Sequence, residues 1–205
     1  MDVRFVTSND GKFREVAAIL APYGIRVRRV RRVLPEPQTD QLETVVAAKL
    51  GAIPPNGLPT MVEDSGLFIP SLNGFPGVYS AHFYRVWGFG PIQYLLRGRS
   101  RRAVFRTVAG LRIGRRTHLF VGECVGTITP RPRGEAGFGF DPIFQPVGTR
   151  RTYSQMPLEE KNRHSHRARA FVRLARFLSS GASKGVRRGP GPVKRKSKGT
   201  KRASR

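Results

Sequence analysis

The sequence holds a single cysteine, Cys124, among 205 residues. No disulfide framework can brace it, and a reducing, cytoplasmic setting is the expected one. It holds no uninterrupted apolar run of the roughly 18–20 residues that a spanning helix needs. The opening Met1-Asp2-Val3-Arg4-Phe5 has no apolar stretch of signal-peptide length, so no membrane contact is expected. Zinc-ligand spacing of His and Cys, a GxSxG elbow, a GxxxxGK[ST] loop and internal repeats are all missing. Their absence argues against zinc, a serine-hydrolase elbow and a Walker-type phosphate loop. Acids are scarce, 13 against 38 Lys+Arg, for a net charge of +25. With 39% hydrophobic residues the body is nonetheless long and apolar enough to bury a sizeable core.

The charge is unevenly placed. Lys184 to Arg205 carries ten Lys+Arg, no acid and no large apolar side chain beyond Val186 and Val193. This composition predicts one domain over residues 1–180 and a basic, disordered tail over 181–205, with nucleic-acid contact by the tail as one use for it. The body keeps a net charge of +15, and its cations are 25 Arg but only three Lys: Lys12, Lys49 and Lys161. An ammonium is a compact point charge suited to a phosphate oxygen, where a guanidinium is a planar fork. The three lysines therefore mark segments to read closely.

Periodicity and punctuation predict a strand over Val3–Thr7, a helix over Lys12–Leu20 ended by Pro22 and Gly24, and a strand over Ile25–Val30. A second helix is predicted to open at Thr39 as N-cap and to run past Lys49. A strand over Thr60–Val62 delivers Glu63-Asp64-Ser65 to a turn at Gly66. Gly88–Leu96 reads as helix. Ala103–Ile113 and Thr117–Ile128 read as a long hairpin around Gly114-Arg115-Arg116. Asp141–Phe144 reads as extended, and Pro157–Leu178 as helix in two pieces. The order of elements predicts an α/β protein with a mixed sheet.

Four segments hold chemistry. Thr7-Ser8-Asn9-Asp10-Gly11-Lys12 joins a strand to a helix N-terminus, where unpaired N–H groups favour phosphate. In Glu63-Asp64-Ser65-Gly66 the adjacent carboxylates face opposite sides of a strand. Asp64, beside the glycine, is either an ion-pair partner of Arg or a Mg²⁺ ligand and general base, with Glu36 in Leu34-Pro35-Glu36 as a second oxygen ligand. In Gly137-Phe138-Gly139-Phe140-Asp141 the glycines either free an aromatic face for a nucleobase or form a bulge with core aromatics. Glu159-Glu160-Lys161-Asn162-Arg163-His164-Ser165-His166-Arg167 places four donors, Lys161, Ser165, His166 and Arg167, close together.

Taken in order, these segments resemble the inosine triphosphate pyrophosphatase family. The resemblance is carried by Thr7 to Glu15, Val62 to Leu67, Leu72 to Ala81, Gly137 to Phe144, Thr152-Tyr153, Glu160-Lys161-Asn162 and Ser165-His166-Arg167. It implies a two-lobed α/β fold with an elongated mixed sheet, a central cleft, and a homodimer. It implies Mg²⁺-dependent hydrolysis of aberrant purine nucleoside triphosphates (dITP, ITP, XTP) to monophosphate and pyrophosphate. By the same resemblance Thr7, Ser8, Asn9 and Lys12 hold the triphosphate, Glu36 and Asp64 hold Mg²⁺, and Asp64 is the base. Lys49 joins the phosphate and acidic cluster as a catalytic residue with Lys12. Ser65, Phe138, Gly139, Phe140, Asp141, Lys161, Ser165, His166 and Arg167 line the base and sugar pocket. One departure stands out: Ser154-Gln155-Met156 replaces the usual Ala-Glu-Met, so an acid near Lys161 is missing. Donors such as His166 and Arg167 would pair with a 6-oxo group and oppose the 6-amino group of adenine. A broader nucleotide phosphatase would instead release inorganic phosphate.

Overall fold

In the computed structural model, described here for residues 1–55 and 57–180, two β-α units start the chain. Strand β1 (Asp2–Val6) leads into helix α1 (Asp10–Leu20), and strand β2 (Arg26–Val30) returns parallel to β1, Asp2 facing Arg26 and Val6 facing Val30. Helix α2 (Leu42–Gly51) then brings the chain to β3 (Thr60–Phe68) on the other side of β1. Past a short strand β4 (Pro76–Gly77) and helices α3 (Ser80–Trp87) and α4 (Gly90–Leu95), β5 (Arg102–Ile113) and β6 (Arg116–Ile128) form the long hairpin. Strand β7 (Phe144–Pro146) and helices α5 (Leu158–His164) and α6 (His166–Ser179) finish the described fold. The sheet runs β2-β1-β3-β5-β6-β7, parallel among β2, β1 and β3 and antiparallel beyond, with β4 on β3. This is the expected mixed α/β sheet.

Burial follows the sequence pattern. α1 and α6 cover one end of the sheet through Val16, Leu20, Phe171 and Leu174 against Val3 and Phe5. α2 covers the other face with Leu42, Val46 and Leu50 on Val62 and Val108. A third cluster of Ile92, Phe105, Phe140, Phe144 and Tyr153 fills the far lobe. Each fully buried Leu or Phe contributes about 1.5–3 kcal/mol. The main cavity opens between the start of α1, Ser65 on β3 and Phe105 and Phe140 of the third cluster.

Several boundaries differ from the sequence reading. α2 starts after Gln41, and Thr39 makes a local turn by accepting the N–H of Gln41 at 3.2 Å, so it is no N-cap. β3 does not turn at Gly66 but runs through it to Phe68. A Cβ on Gly66 would lie 2.3 Å from the Gly77 carbonyl oxygen, so glycine serves close approach of β4. Asp141–Ile143 is a single 3-10 turn before β7 rather than extended chain. The proposed tail, 181–205, lies outside the described residues. Among the described residues no helix is long and apolar enough to cross a membrane.

Candidate active site

The β1–α1 turn is organised by short polar side chains. Asn9 caps α1 by accepting the Lys12 N–H on Oδ1 at 2.9 Å, so Nδ2 remains its donor for a ligand. Thr7 Oγ1 accepts the Asn9 N–H at 3.2 Å. Arg29 on β2 fastens the turn from behind, donating to the carbonyls of Thr7 at 3.2 Å and Ser8 at 2.8 Å and pairing with Asp10. The Ser8 residue itself is exposed.

Strand alternation then separates the two carboxylates of β3. On the α2 side, Lys49 Nζ sits 2.7 Å from Asp64 Oδ1 and 2.9 Å from Glu36 Oε1. The loop between β2 and α2 thus does deliver Glu36 to Asp64. Burial pushes the Asp64 carboxyl above its ordinary range, against the pull of Lys12 and Lys49. Burial alone would lower Lys49, but Asp64 and Glu36 outweigh it and hold the ammonium charged. Glu36 is lowered because Lys49 outweighs its own partial burial. Two hard carboxylates from separate elements, Glu36 with a side chain 68% exposed, form a donor set that fits Mg²⁺. That ion takes one or two carboxylates and completes its shell with water and phosphate oxygens. Among the described residues no three His, Cys, Asp or Glu side chains converge, so the protein's own set stops at two.

On the opposite side of β3 six ions alternate in sign. Lys12 Nζ lies 2.5 Å from Glu63 Oε1, and Glu63 Oε2 lies 3.4 Å from Arg167 Nε. Arg167 pairs through Nη1 with Glu15, Glu15 with Lys161 at 2.6 Å, and Lys161 with Asp141 at 2.5 Å. Ser65 Oγ donates to Glu63 at 2.6 Å and accepts from Arg167 Nη2 at 3.2 Å. Five of the six are buried, and only Lys12, its side chain 18% exposed, reaches solvent. Burial opposes ionisation of Glu63, yet Lys12 and Arg167 hold it well below the carboxylate range. Arg167 and Lys161 do the same for Glu15. Asp141 goes the other way: burial and the nearby Glu15 raise it despite Lys161. Arg167 is raised because Glu63 and Glu15 outweigh its burial.

Glu15 and Glu63 were not among the expected site residues. Glu15 lies three residues after Lys12 on α1, and Glu63 is the other half of the carboxylate pair. In a chain this poor in acids, either could have been flagged as a counterion for a buried base. They also answer the departure at Gln155. Lys161 takes its partners from Glu15 and Asp141, while Gln155 Oε1 accepts the Thr152 N–H at 3.0 Å in a capping box.

A cavity of about 280 Å³ opens on this side. Nine expected residues line it: Asn9, Lys12, Ser65, Phe138, Gly139, Phe140, Asp141, His166 and Arg167, with Tyr84 and Phe105 completing an aromatic wall. His166 is stacked on Phe105, 4.6 Å between centroids and 9° between planes. Burial and then the Arg167 and Lys161 charges push its imidazole well below the usual range, so it is neutral at pH 7. Its Nδ1 has no hydrogen-bond partner among the described residues. Lys161 instead lines a second cavity of about 190 Å³ with Glu15, Gly137, Phe138 and Tyr153. Ser165 does not reach the first cavity; it caps α6, accepting the Ala168 N–H at 3.0 Å. Glu36, Lys49 and Asp64 stay on the far face of β3.

The arrangement offers cationic and N–H donors for a polyanion, a two-carboxylate cation site and an aromatic, polar pocket for a flat heterocycle. Residues 3–177 match the model of the Ham1 family. A dITP/XTP pyrophosphatase of Pyrococcus horikoshii is 45% identical over 183 residues, covering 87% of this chain and 97% of that one. One of Methanopyrus kandleri is also 45% identical over 183 residues, covering 88% and 97%. Among solved structures, a HAM1 protein from Coxiella burnetii superposes with a TM-score of 0.75 at 26% identity, covering 88% of this chain and 99% of that one. The Staphylococcus aureus Ham1 protein gives 0.73 at 26% identity, again over 88% and 99%.

Proposed function

Because the chain belongs to the Ham1 family, we propose that it hydrolyses dITP, ITP and XTP to the monophosphate and pyrophosphate, clearing aberrant purines from the nucleotide pool. The observation that carries this reading is one cavity shared by a capped helix N-terminus bearing Asn9 and Lys12 and an aromatic wall bearing Phe138, Phe140 and His166. The names of the relatives, dITP/XTP pyrophosphatase, support the same substrates.

In this reading Thr7, Ser8 and Asn9 cradle the triphosphate at the α1 N-terminus, and Lys12 leaves Glu63 to bind a phosphate oxygen. Glu36 and Asp64 hold Mg²⁺, which when bound neutralises phosphate charge and acts as a Lewis acid. Asp64, its basicity increased by burial, takes a proton from water. The water oxygen bonds to the α-phosphorus, the bond from that phosphorus to the bridging oxygen breaks, and pyrophosphate leaves. Lys49 holds Asp64 and Glu36 in register and offsets charge that develops on the phosphates. Ser65, Gly139, Asp141, Lys161, Ser165 and Arg167 form or brace the base and sugar pocket, and Phe138 stacks on the base. Arg167 and Lys161 are engaged in the ion chain, so neutral His166, which lines the cavity, is assigned as a donor to a 6-oxo group through the ring nitrogen that carries its proton. The 6-amino group of adenine would face that N–H donor to donor, the stronger kind of rejection.

Incubation with ITP, XTP, GTP and ATP in Mg²⁺ tests the proposal. Pyrophosphate from ITP and XTP, with ATP turned over at least about a hundredfold more slowly, is expected. Release of inorganic phosphate, or equal turnover of ATP, would sink it. The reading includes a homodimer. Its face is the exposed apolar surface of Phe75, Tyr79, Val86 and Trp87 around α3.

A further inference from the structure

Gly11 is the second residue of α1 and has an ordinary helical backbone, not the positive φ that calls for glycine elsewhere in this chain. Glycine here therefore has no conformational reason, and it weakens the helix relative to alanine. The reason lies across the cleft. A Cβ on Gly11 would lie 2.5 Å from Cδ1 and 2.6 Å from Cε1 of Phe138. Such distances are not tolerated, so the ring uses the space that Gly11 leaves.

Phe138 lines both the cavity of about 280 Å³ and that of about 190 Å³. Its other contacts hold it there. Lys161 Nζ lies 4.8 Å and Arg167 Cζ 5.6 Å from the ring centroid, and its N–H donates to Asp141 Oδ2 at 2.9 Å. Gly137 and Gly139 flank it with φ of 83° and 61°, a backbone that lets the segment turn tightly around the ring.

We infer that Gly11 is a positioning residue for base recognition. By lacking a side chain it seats Phe138 over the Lys161–Arg167 pair and so links the triphosphate turn to the base pocket. The inference rests on the function proposed above and deepens it: nothing in the turn's own chemistry would make residue 11 matter for the base.

A substitution cycle tests it. Gly11→Ala pushes the ring aside, so KM for ITP is expected to rise about tenfold, the order of losing one base–aromatic stack, with kcat little changed. Inhibition by inorganic tripolyphosphate, which has no base, should keep its constant. The Gly11 Cβ would also come within 3.2 Å of Asn9 Oδ1, so an effect through the cap is the competing cause. The Phe138→Ala background separates them: with no ring to displace, Gly11→Ala should raise KM no further. An unchanged KM in Gly11→Ala, an equal rise in the Phe138→Ala background, or a weakened tripolyphosphate constant would each overturn the inference. A crystal structure of Gly11→Ala checks the same point without substrate. The Phe138 ring should be displaced, and an unmoved ring refutes the inference whatever the wild-type enzyme hydrolyses. Failure of wild type to release pyrophosphate from ITP would refute only the function.

Discussion

Glu63 and Asp64 are adjacent in the chain and differ in every environment that matters. One is locked between Lys12 and Arg167 and held ionised; the other keeps a single ammonium partner and a raised carboxyl. A base should bind a proton reversibly, which favours Asp64. Asp64→Asn is expected to reduce pyrophosphate release from ITP by at least about a hundredfold while thermal unfolding shifts by only a few degrees. Retained turnover would remove Asp64 as base. His166 gives the pH prediction. Its folded value is depressed well below the 6.5 of the unfolded chain. Between those two values the unfolded state binds more protons, so the stability His166 contributes is present above 6.5 and is lost as pH falls below it. Glu63 and Glu15, also depressed, lose their contribution only below about 4.5. Urea unfolding should therefore lose stability more steeply between pH 6.5 and 5 in wild type than in His166→Gln; parallel slopes would be the contrary result. At this scale the residues with special chemistry were legible in the sequence, because the body has only three lysines and its carboxylates are few beside so many Arg. Their counterions were not, since Glu15 meets Lys161 across 146 positions and Arg167 across 152.

Elements show where pattern reading succeeds and where it stops. The β5–β6 hairpin was legible because segments rich in β-branched and aromatic residues flank a glycine turn, and both strands pair from Arg102–Thr127 to Ile113–Arg116. Helix α3 was not: of its eight residues only Ser80 and Phe83 are buried, too few to print a 3.6 period. Gly66 looked like punctuation and is instead a contact, a distinction that lies in the partner strand. Two other glycines seat helices on the sheet and give a prediction at this scale. A Cβ on Gly122 of β6 would lie 2.2 Å from the His166 carbonyl oxygen and 2.4 Å from the Ala170 nitrogen, both backbone atoms of α6. A Cβ on Gly110 of β5 would meet only the side chains of Val46 and Leu50 on α2, which can rotate away. Gly122→Ala must shift a whole helix, and with it His166 and Arg167. It is expected to cost about 1–3 kcal/mol in urea unfolding and to raise KM for ITP, with Gly110→Ala well below it in both. Equal costs would show that α6 is not held at this point.

The molecule as a whole carries two features that the site does not use. One is apolar: Val86 is 52% and Trp87 59% exposed beside Phe75 and Tyr79, with Phe75 and Trp87 both packed on Phe83. A second copy of the chain would cover that face. Trp87→Glu with Val86→Glu should convert a dimer to a monomer in sedimentation, and an unchanged sedimentation coefficient would place the interface elsewhere. The other is charge. The body holds +15 and residues 184–205 a further ten positive charges, yet the six-ion chain beneath the base pocket sums to zero, so the body's surplus lies outside that chain. Surface charge of one sign raises the rate at which a polyanion arrives and is screened by salt, while steps inside a closed pocket are screened far less. Hence kcat/KM for ITP should fall as ionic strength rises from low values toward about 0.5 M, with kcat nearly constant. Removing residues 184–205 takes away ten positive charges. It should flatten that salt dependence and leave kcat unchanged, because no described site residue lies there. A large fall in kcat on truncation would mean that the basic tail takes part in the reaction rather than in encounter. The same truncation, if it abolished RNA or DNA affinity while sparing turnover, would assign the tail a partner separate from the nucleotide.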